Sequence, residues 1–474
     1  MKRRDFLSSA VAVAAPMVWT AAHAQGEAVR VRRDASTLPS NDPIWGVFAE
    51  AVKAMHALPP SDPRSWRNQA MLHLKYCPHG ASRPDFVHWH RHYITNFEAI
   101  CAALTSRPDF ALPYWNWSAN NGRVPDPLFD LQSLNVEHWK DPSDSSSPNW
   151  ANGMLVSTVG SRGLRKGQGI QDDPRFSRPF TEASIASIRR ETNFRSFSRR
   201  LEGEPHNNAH VIVGGDSGHM GDGLSPLDPL FWLHHCGVDR VWAQWQFAGN
   251  TTLPLDISYA NQFVGGDGKP VTADSATALN ITALGFTYDV VPNSPAPFVL
   301  STLQKSLVTP PKVLAGSDQR LRVMPKTEAT AVLKAPGLLS AMETQRDFWS
   351  LDSGMKAVQS REPSRILARI SNVMAPKTRA PLIVNVFVNC PYLAPDTAST
   401  DMHFAGAFSF FGMFGDGHNH AEYLVDLTEP LAALRRNGKL KSEQVNLQFM
   451  AIPVDASREY ETPFAVGNIE LVTG

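Results

Sequence analysis

Two kinds of apolar periodicity divide this chain. In the first half apolar residues recur at helical spacing. Ile44, Phe48, Val52 and Met55 predict a helix over residues 43–57. After a turn and helix start at Ser61-Asp62-Pro63-Arg64-Ser65, a second helix carries Trp66, Ala70 and His73. A third begins near Phe86 and carries Trp89, His90, Tyr93, Phe97 and Glu98, with Pro108 closing the region. The aromatic segment Leu112–Trp117 lies next to this core, and residues 118–178, rich in Pro, Ser, Asn, Asp and Gly, read as long loops. Thr181–Arg200 reads as a polar helix, followed by a helix bearing His206 and His210, a glycine-rich loop from Gly214 to Gly223, and a helix from Asp228 to Gln246 with Pro229 in its first turn.

The texture changes after about residue 290. Pro292, Pro295, Pro297, Pro310 and Pro311 mark a linker over 291–379. From Leu382 the pattern is strand-like: Leu382–Val388 is rich in β-formers, Val445, Leu447, Phe449 and Ala451 alternate with Asn446, Gln448 and Met450, and Ile469–Val472 reads as a closing strand. The predicted architecture is a mainly α domain over 25–290, built as a four-helix bundle around a metal site with long loops, and a smaller β-rich domain over 380–474.

Residues 1–24 read as an export signal. Lys2-Arg3-Arg4-Asp5-Phe6-Leu7 has the twin-arginine pattern, a short Ala-rich apolar stretch follows, and Ala22-His23-Ala24 fits a cleavage site, which predicts a periplasmic or secreted protein. The chain has 42% hydrophobic and 19% charged residues and equal counts of basic and acidic side chains. That balance gives no electrostatic case for nucleic acid or an anionic membrane as partner. Four cysteines, Cys77, Cys101, Cys236 and Cys390, are too sparse over 474 residues for a disulfide framework.

Histidines carry the candidate chemistry. His73, His79 and His90 form a first set; His206, His210 and the pair His234-His235 form a second. The i, i+4 spacing of His206 and His210 puts both on one helical face. Isolated, each of these signals also fits a hydrogen-bonded core imidazole. Arg91 beside His90 and Arg240 near His235 change the picture, because buried imidazoles beside fixed Arg–carboxylate pairs are what surrounds a metal. Glu98, two helical turns after Arg91, is placed to pair with it, and Asp239 either orients His235 or pairs with Arg240. Imidazole suits zinc, copper, iron and nickel. Asn207 and Asn208 follow His206, so the His-Glu-x-x-His pattern of zinc hydrolases is absent. Two all-imidazole sets favour two copper ions.

Several motifs then resemble the tyrosinase, catechol oxidase and haemocyanin superfamily of coupled type-3 dicopper proteins. They are Trp89-His90-Arg91 with Tyr93 and Glu98, Leu112–Trp117, Leu201-Glu202 before Pro205-His206-Asn207, and Asp228-Pro229 through Trp242. Asp62–Trp66, Gln69-Ala70 and Tyr76-Cys77 are similar to the start of a plant-type polyphenol oxidase core, and Leu284–Asp289 is a weaker match. The resemblance implies that His73, His79 and His90 bind the first copper and His206, His210 and His235 the second, with His234 a non-ligand neighbour. His79 departs from the pattern: it stands eleven residues before His90 where the family has nine, and His88 sits where the family often has Pro. The resemblance also implies a thioether between Cys77 and His79, the alternative being a plain buried thiol. It implies a catalytic water held by Glu202 and Asn207, and Val211 at the substrate entrance. A gate from the Gly214–Gly223 loop and an aromatic plug from Phe408–Phe414 of the C-terminal domain follow from the same likeness. The implied reaction is oxidation of o-diphenols, and of monophenols, to o-quinones with O2 as co-substrate. The alternatives are a diphenol-only catechol oxidase, an o-aminophenol oxidase, a haemocyanin-like O2 carrier and, more distantly, a zinc hydrolase. A separate copper-delivery protein is an implied partner.

Overall fold

A computed structural model describes residues 29–79, 83–140, 161–250, 252, 255–291, 312–342, 365–377, 380–413 and 421–473. The twin-arginine segment and much of the 118–178 and 291–379 stretches lie outside them.

The helices are α1 (Pro43–Ala57), α2 (Trp66–Tyr76), α3 (Phe86–Thr105), α4 (Pro127–Asp130), α5 (Glu182–Arg189), α6 (Phe194–Leu201), α7 (Asn207–Gly214), α8 (Leu230–Phe247) and α9 (Thr428–Arg436). Local chemistry sets their ends. Asp42 accepts a hydrogen bond from the Ile44 amide (3.0 Å) ahead of Pro43, and Ser65 accepts from Asn68 (3.3 Å), so orphan donors at both N-termini are satisfied. Helix α3 stops where Ser106 turns left-handed (φ 53°). The predicted Thr181–Arg200 helix is two helices, α5 and α6, separated at residues 190–193, with Asn193 capping the second. Helices α2, α3, α7 and α8 surround one aromatic core, where Phe97 and Trp232 stack at 3.5 Å between ring centroids.

The strands are β1 (Arg30–Arg32), β2 (Ser258–Val264), β3 (Pro270–Asp274), β4 (Phe286–Tyr288), β5 (Lys312–Ser317), β6 (Leu321–Val323), β7 (Glu328–Lys334), β8 (Ile366–Val373), β9 (Leu382–Val388), β10 (Phe404–Ser409), β11 (Ala421–Asp426), β12 (Gln444–Pro453), β13 (Phe464–Val466) and β14 (Asn468–Thr473). Two four-stranded antiparallel sheets, ordered β10-β9-β12-β7 and β11-β8-β14-β5, enclose a second core around Leu333, Ile370, Val384, Leu447 and Leu471. This corrects the expected linker over 291–379: β5, β7 and β8 lie inside that stretch and belong to these sheets, and β6 pairs with β13 beside them. The prolines mark only its start.

Strand β9 also shows how the two halves meet. All seven of its residues are buried. Leu382, Val384, Val386 and Val388 face the inner core, whereas Ile383 and Phe387 join the apolar cluster of the helical half. Asn385 on that same face donates to the Arg175 carbonyl (2.9 Å). The sheet is therefore apolar on both faces, one sealed by the partner sheet and one by the helices.

Candidate metal centre

Helix α2 supplies His73 one turn before its end, and His79 stands in the loop that follows. Helix α3 supplies His90. His206 closes a π-turn over Glu202–His206, His210 lies one turn on in α7, and His234 and His235 lie in α8. The structure gathers these into two adjoining groups. His73, Cys77, His79 and His90 converge in one, and His206, His210, His234 and His235 in the other, each with its candidate ligand atoms within 4.8 Å of one another. The rings of His90 and His235 lie face to face, 4.1 Å apart and 8° from parallel.

Five of the imidazoles are held by their outer nitrogen. The Nδ1 atoms of His73, His90 and His210 meet the carbonyls of Gly223, Phe86 and Met220, all at 2.8 Å. His206 Nδ1 meets Asn207 Oδ1 at 2.8 Å, and His79 Nδ1 meets Glu202 Oε1 at 3.4 Å. An Nδ1–H fixed this way leaves Nε2 as the free lone pair. The buried Nε2 atoms of His73, His79 and His206 have no hydrogen-bond partner, and neither does His235 Nδ1. Such orphans cost about 1–3 kcal/mol each unless something binds them, which fits these nitrogens as metal ligands. Burial, reinforced by neighbouring imidazoles, lowers His73 to about 3 and drives His90, His206, His210 and His235 well below the usual histidine range. The rings are therefore neutral and ready to ligate. Three imidazoles with Cys77 Sγ beside them in one group and four imidazoles in the other fit two copper ions.

The surrounding ion pairs differ from those the spacing predicts. Arg91 does not reach Glu98; it pairs with Asp239 (2.5 Å) and lies over the Trp242 ring. Glu98 instead takes Arg32 from β1, through two bonds of 2.9 and 2.8 Å, and Arg32 also reaches Asp239 (3.1 Å). Tyr288 donates to Asp239 at 2.6 Å. Asp239 therefore ties α8 to α3, β1 and β4 rather than orienting His235 or pairing with Arg240. Arg32 was missed because its partners are remote in sequence; the basic run Arg30–Arg33 was the available signal.

Other expected residues fall as follows. His88 points away from the metal groups and lies between Phe194 and Trp242. His234 has both ring nitrogens buried and unpartnered, stacked near His206 and against Trp117. Cys77 Sγ approaches His90 Nε2 at 3.3 Å and shares the first group with His79, the ring with which the thioether was expected. Val211 is buried beside His210. The Gly214–Gly223 loop braces the centre: its carbonyls at Met220 and Gly223 fix one histidine of each group.

The C-terminal half reaches this centre. A turn closed by Met413 N–H to the Phe410 carbonyl (3.1 Å) puts Gly412 at φ 76°, the positive φ a type II turn requires. A Cβ at Gly412 would sit 3.4 Å from the His79 ring. The turn presents Phe411, whose ring stacks on His210 at 3.8 Å and 9°, with its flank toward His79 and His206. Phe414, at the end of the expected plug segment, lies outside the described residues.

Residues 50–248 match the model of the common central domain of tyrosinase. A tyrosinase of Streptomyces glaucescens is 35% identical over 182 residues, covering 35% of this chain and 64% of that protein. A chloroplastic polyphenol oxidase of Spinacia oleracea is 28% identical over 307 residues, covering 55% of this chain and 47% of that protein. The chain thus spans about half to two thirds of the length of these curated relatives. A latent apple tyrosinase shares the fold over 94% of this chain and 97% of its own, with TM-score 0.60 and 21% identity. Residues 50–248 thus carry a tyrosinase central domain, and the two histidine groups inside it fit the two copper ions of that family.

Proposed function

We propose that this protein oxidises phenols to o-quinones with O2, acting on o-diphenols and also hydroxylating monophenols. The observation that carries the reading is the close pairing of two histidine-rich groups, joined through His90 and His235, inside the matched domain. In this reading His73, His79 and His90 hold one copper and His206, His210 and His235 the other. The bound copper pair supplies the O2 chemistry. The chain's own residues supply geometry and protons. The Nδ1 contacts of His73, His79, His90, His206 and His210 aim their Nε2 atoms inward, and the surrounding aromatic rings exclude water. A monophenol must lose a proton with a starting pKa near 10. Glu202, with Asn207 one residue past His206, supplies the acceptor, through a water held between them. A thioether from Cys77 to an imidazole of the first group would lock that ring, and a peptide mass lighter by two hydrogens reports it. The twin-arginine reading of the N-terminus implies export with copper already loaded or delivered by a partner protein.

Phe411 makes the full chain latent in this reading, because its ring fills the place over His210 that a phenol needs. Oxygen uptake by copper-loaded full-length protein tests both points. Wild type is expected to be slow. Phe411→Ala is expected to be about ten- to a hundredfold faster, since stacking and burial of one phenyl ring contribute about 1.5–3 kcal/mol. Uptake with an o-diphenol but not with its monophenol would limit the chain to catechol oxidation. No uptake with either, even in Phe411→Ala, would leave an O2 carrier.

A further inference from the structure

We propose that Glu204 is a positioning residue, through which the C-terminal half sets the place of His206 and with it the copper affinity of the second histidine group. The inference rests on the copper assignment of the proposed function and deepens it. His206 closes the π-turn over Glu202–His206, and one backbone donor is missing from that turn because Pro205 stands inside it. The Nδ1 atom of His206 is braced by Asn207, the next residue in the chain, at 2.8 Å. His210 Nδ1 instead meets the Met220 carbonyl, ten residues away. A ring braced by its own neighbour moves wherever the turn moves.

The C-terminal half holds that turn. Strand β10 lies at the edge of its sheet, so it carries amides that no neighbouring strand takes. Glu204 Oε1 accepts from one of them, the Ala407 N–H, at 3.1 Å. The strand is shaped to receive the carboxylate. Its pairing with β9 slips between Phe404 and Gly406, which is how a bulge bends a strand. A Cβ at Gly406 would sit 3.1 Å from the same Oε1, so glycine leaves the room that Glu204 fills. Two further contacts flank this socket. A Cβ at Gly203 would meet the Tyr423 ring of β11 at 3.5 Å, and Arg200, near the end of α6, reaches Asp426 of β11 at 3.4 Å. On the other side Glu202 meets His79 of the first group. The turn that carries His206 is therefore fixed from both halves, and Glu204 is the side chain that crosses to β10, two residues ahead of the ring. It acts on the metal through His206.

The test reads the Cu(I) affinity of the full chain against the chelator bicinchoninate, one group at a time. His73→Ala leaves the second group as the site that fills, and His206→Ala leaves the first. In the His73→Ala background, Glu204→Ala is expected to weaken copper about tenfold, the low end of what loss of a ligand's outer support costs. Glu204→Gln, which keeps an acceptor oxygen for the Ala407 amide, is expected to restore most of that affinity. Gly406→Val, which fills the socket and leaves residue 204 as it is, is expected to weaken copper as Glu204→Ala does, and the two together no more than either alone. In the His206→Ala background none of these substitutions is expected to move the affinity of the first group, which separates positioning from a general loss of stability. Unchanged affinity in Glu204→Ala overturns the proposal, as does an equal loss at the first group or a neutral Gly406→Val. A wild type that binds copper at neither group would sink the oxidase reading and this inference together, whereas unchanged affinity in the variant sinks the inference alone.

Discussion

The two histidine groups are built to different standards. His206, His210, His234 and His235 come from a turn and two helices and are all fully buried. In the first group His73 and His90 are helical, but His79 sits on a loop with 14% of its side chain exposed. Its brace is also weaker: 3.4 Å to Glu202, against 2.8 Å for the carbonyl contacts of His73, His90 and His210. A ligand on a helix inherits its position from the backbone repeat. A loop ligand must be positioned by something else, here a carboxylate from the opposite group and the Gly412 turn pressed against it.

That contrast predicts unequal consequences for losing one ligand from each group. His235→Ala is expected to abolish one copper per chain and all measurable O2 uptake, because its ring packs against His90, His206 and Phe231 and its loss opens a cavity at the junction. His79→Ala is expected to weaken copper at the first group while the second stays filled. Metal content after dialysis against a graded chelator separates the two. If His79→Ala empties both groups as readily as His235→Ala does, the two are not independent and the contrast fails.

The sequence was legible where information is local. Ile44, Phe48, Val52 and Met55 mark α1, and its bounds follow from Asp42 and Pro43. The histidines stand in motifs that locate both groups. What escaped is remote or weakly patterned. Arg91 has a carboxylate at helical spacing, yet its partner is Asp239, because Glu98 is taken by Arg32 from 66 residues away. Strands β5 and β7 read as linker because they are short, about half exposed and contain Ala, Gly, Lys and Glu; they become strands by pairing with β14 and β12. The carbonyl braces at Met220 and Gly223 carry no side-chain signal at all.

A smaller effect sharpens the comparison from outside the ligand set. Glu202→Gln keeps the size of the side chain but removes the charge facing His79. Loss of such a brace typically costs about 10–100-fold in metal affinity, and the weak 3.4 Å contact puts this one at the low end. Copper titration is expected to show the first group weakened and the second unchanged. The ratio of monophenol to diphenol turnover is expected to fall as well, since the proton acceptor is gone. A drop in copper affinity with that ratio intact would make Glu202 a positioning residue and nothing more.

Acidity acts on both groups, through proton linkage. His73 and His234 are lowered by burial to about 3 in the folded chain, against about 6.5 when exposed in the unfolded chain. Between those values the unfolded state binds more protons, so stability falls as pH falls; above about 6.5 the term is flat. Each such histidine contributes a slope of about 1.4 kcal/mol per pH unit. His88 and His56, also lowered to about 3, add to it. Four together over two units give roughly 11 kcal/mol, the size of a whole domain's stability of about 5–15 kcal/mol. The metal-free chain is therefore expected to unfold near pH 4–5, before its histidines can titrate in place. Copper binds only neutral imidazole and so opposes the same protons. Excess copper is expected to move the midpoint of an acid titration, followed by tryptophan fluorescence, to lower pH. A midpoint that does not move with copper would mean that the ligand histidines do not limit acid stability, and that His56 and His88, away from the metal groups, set it instead.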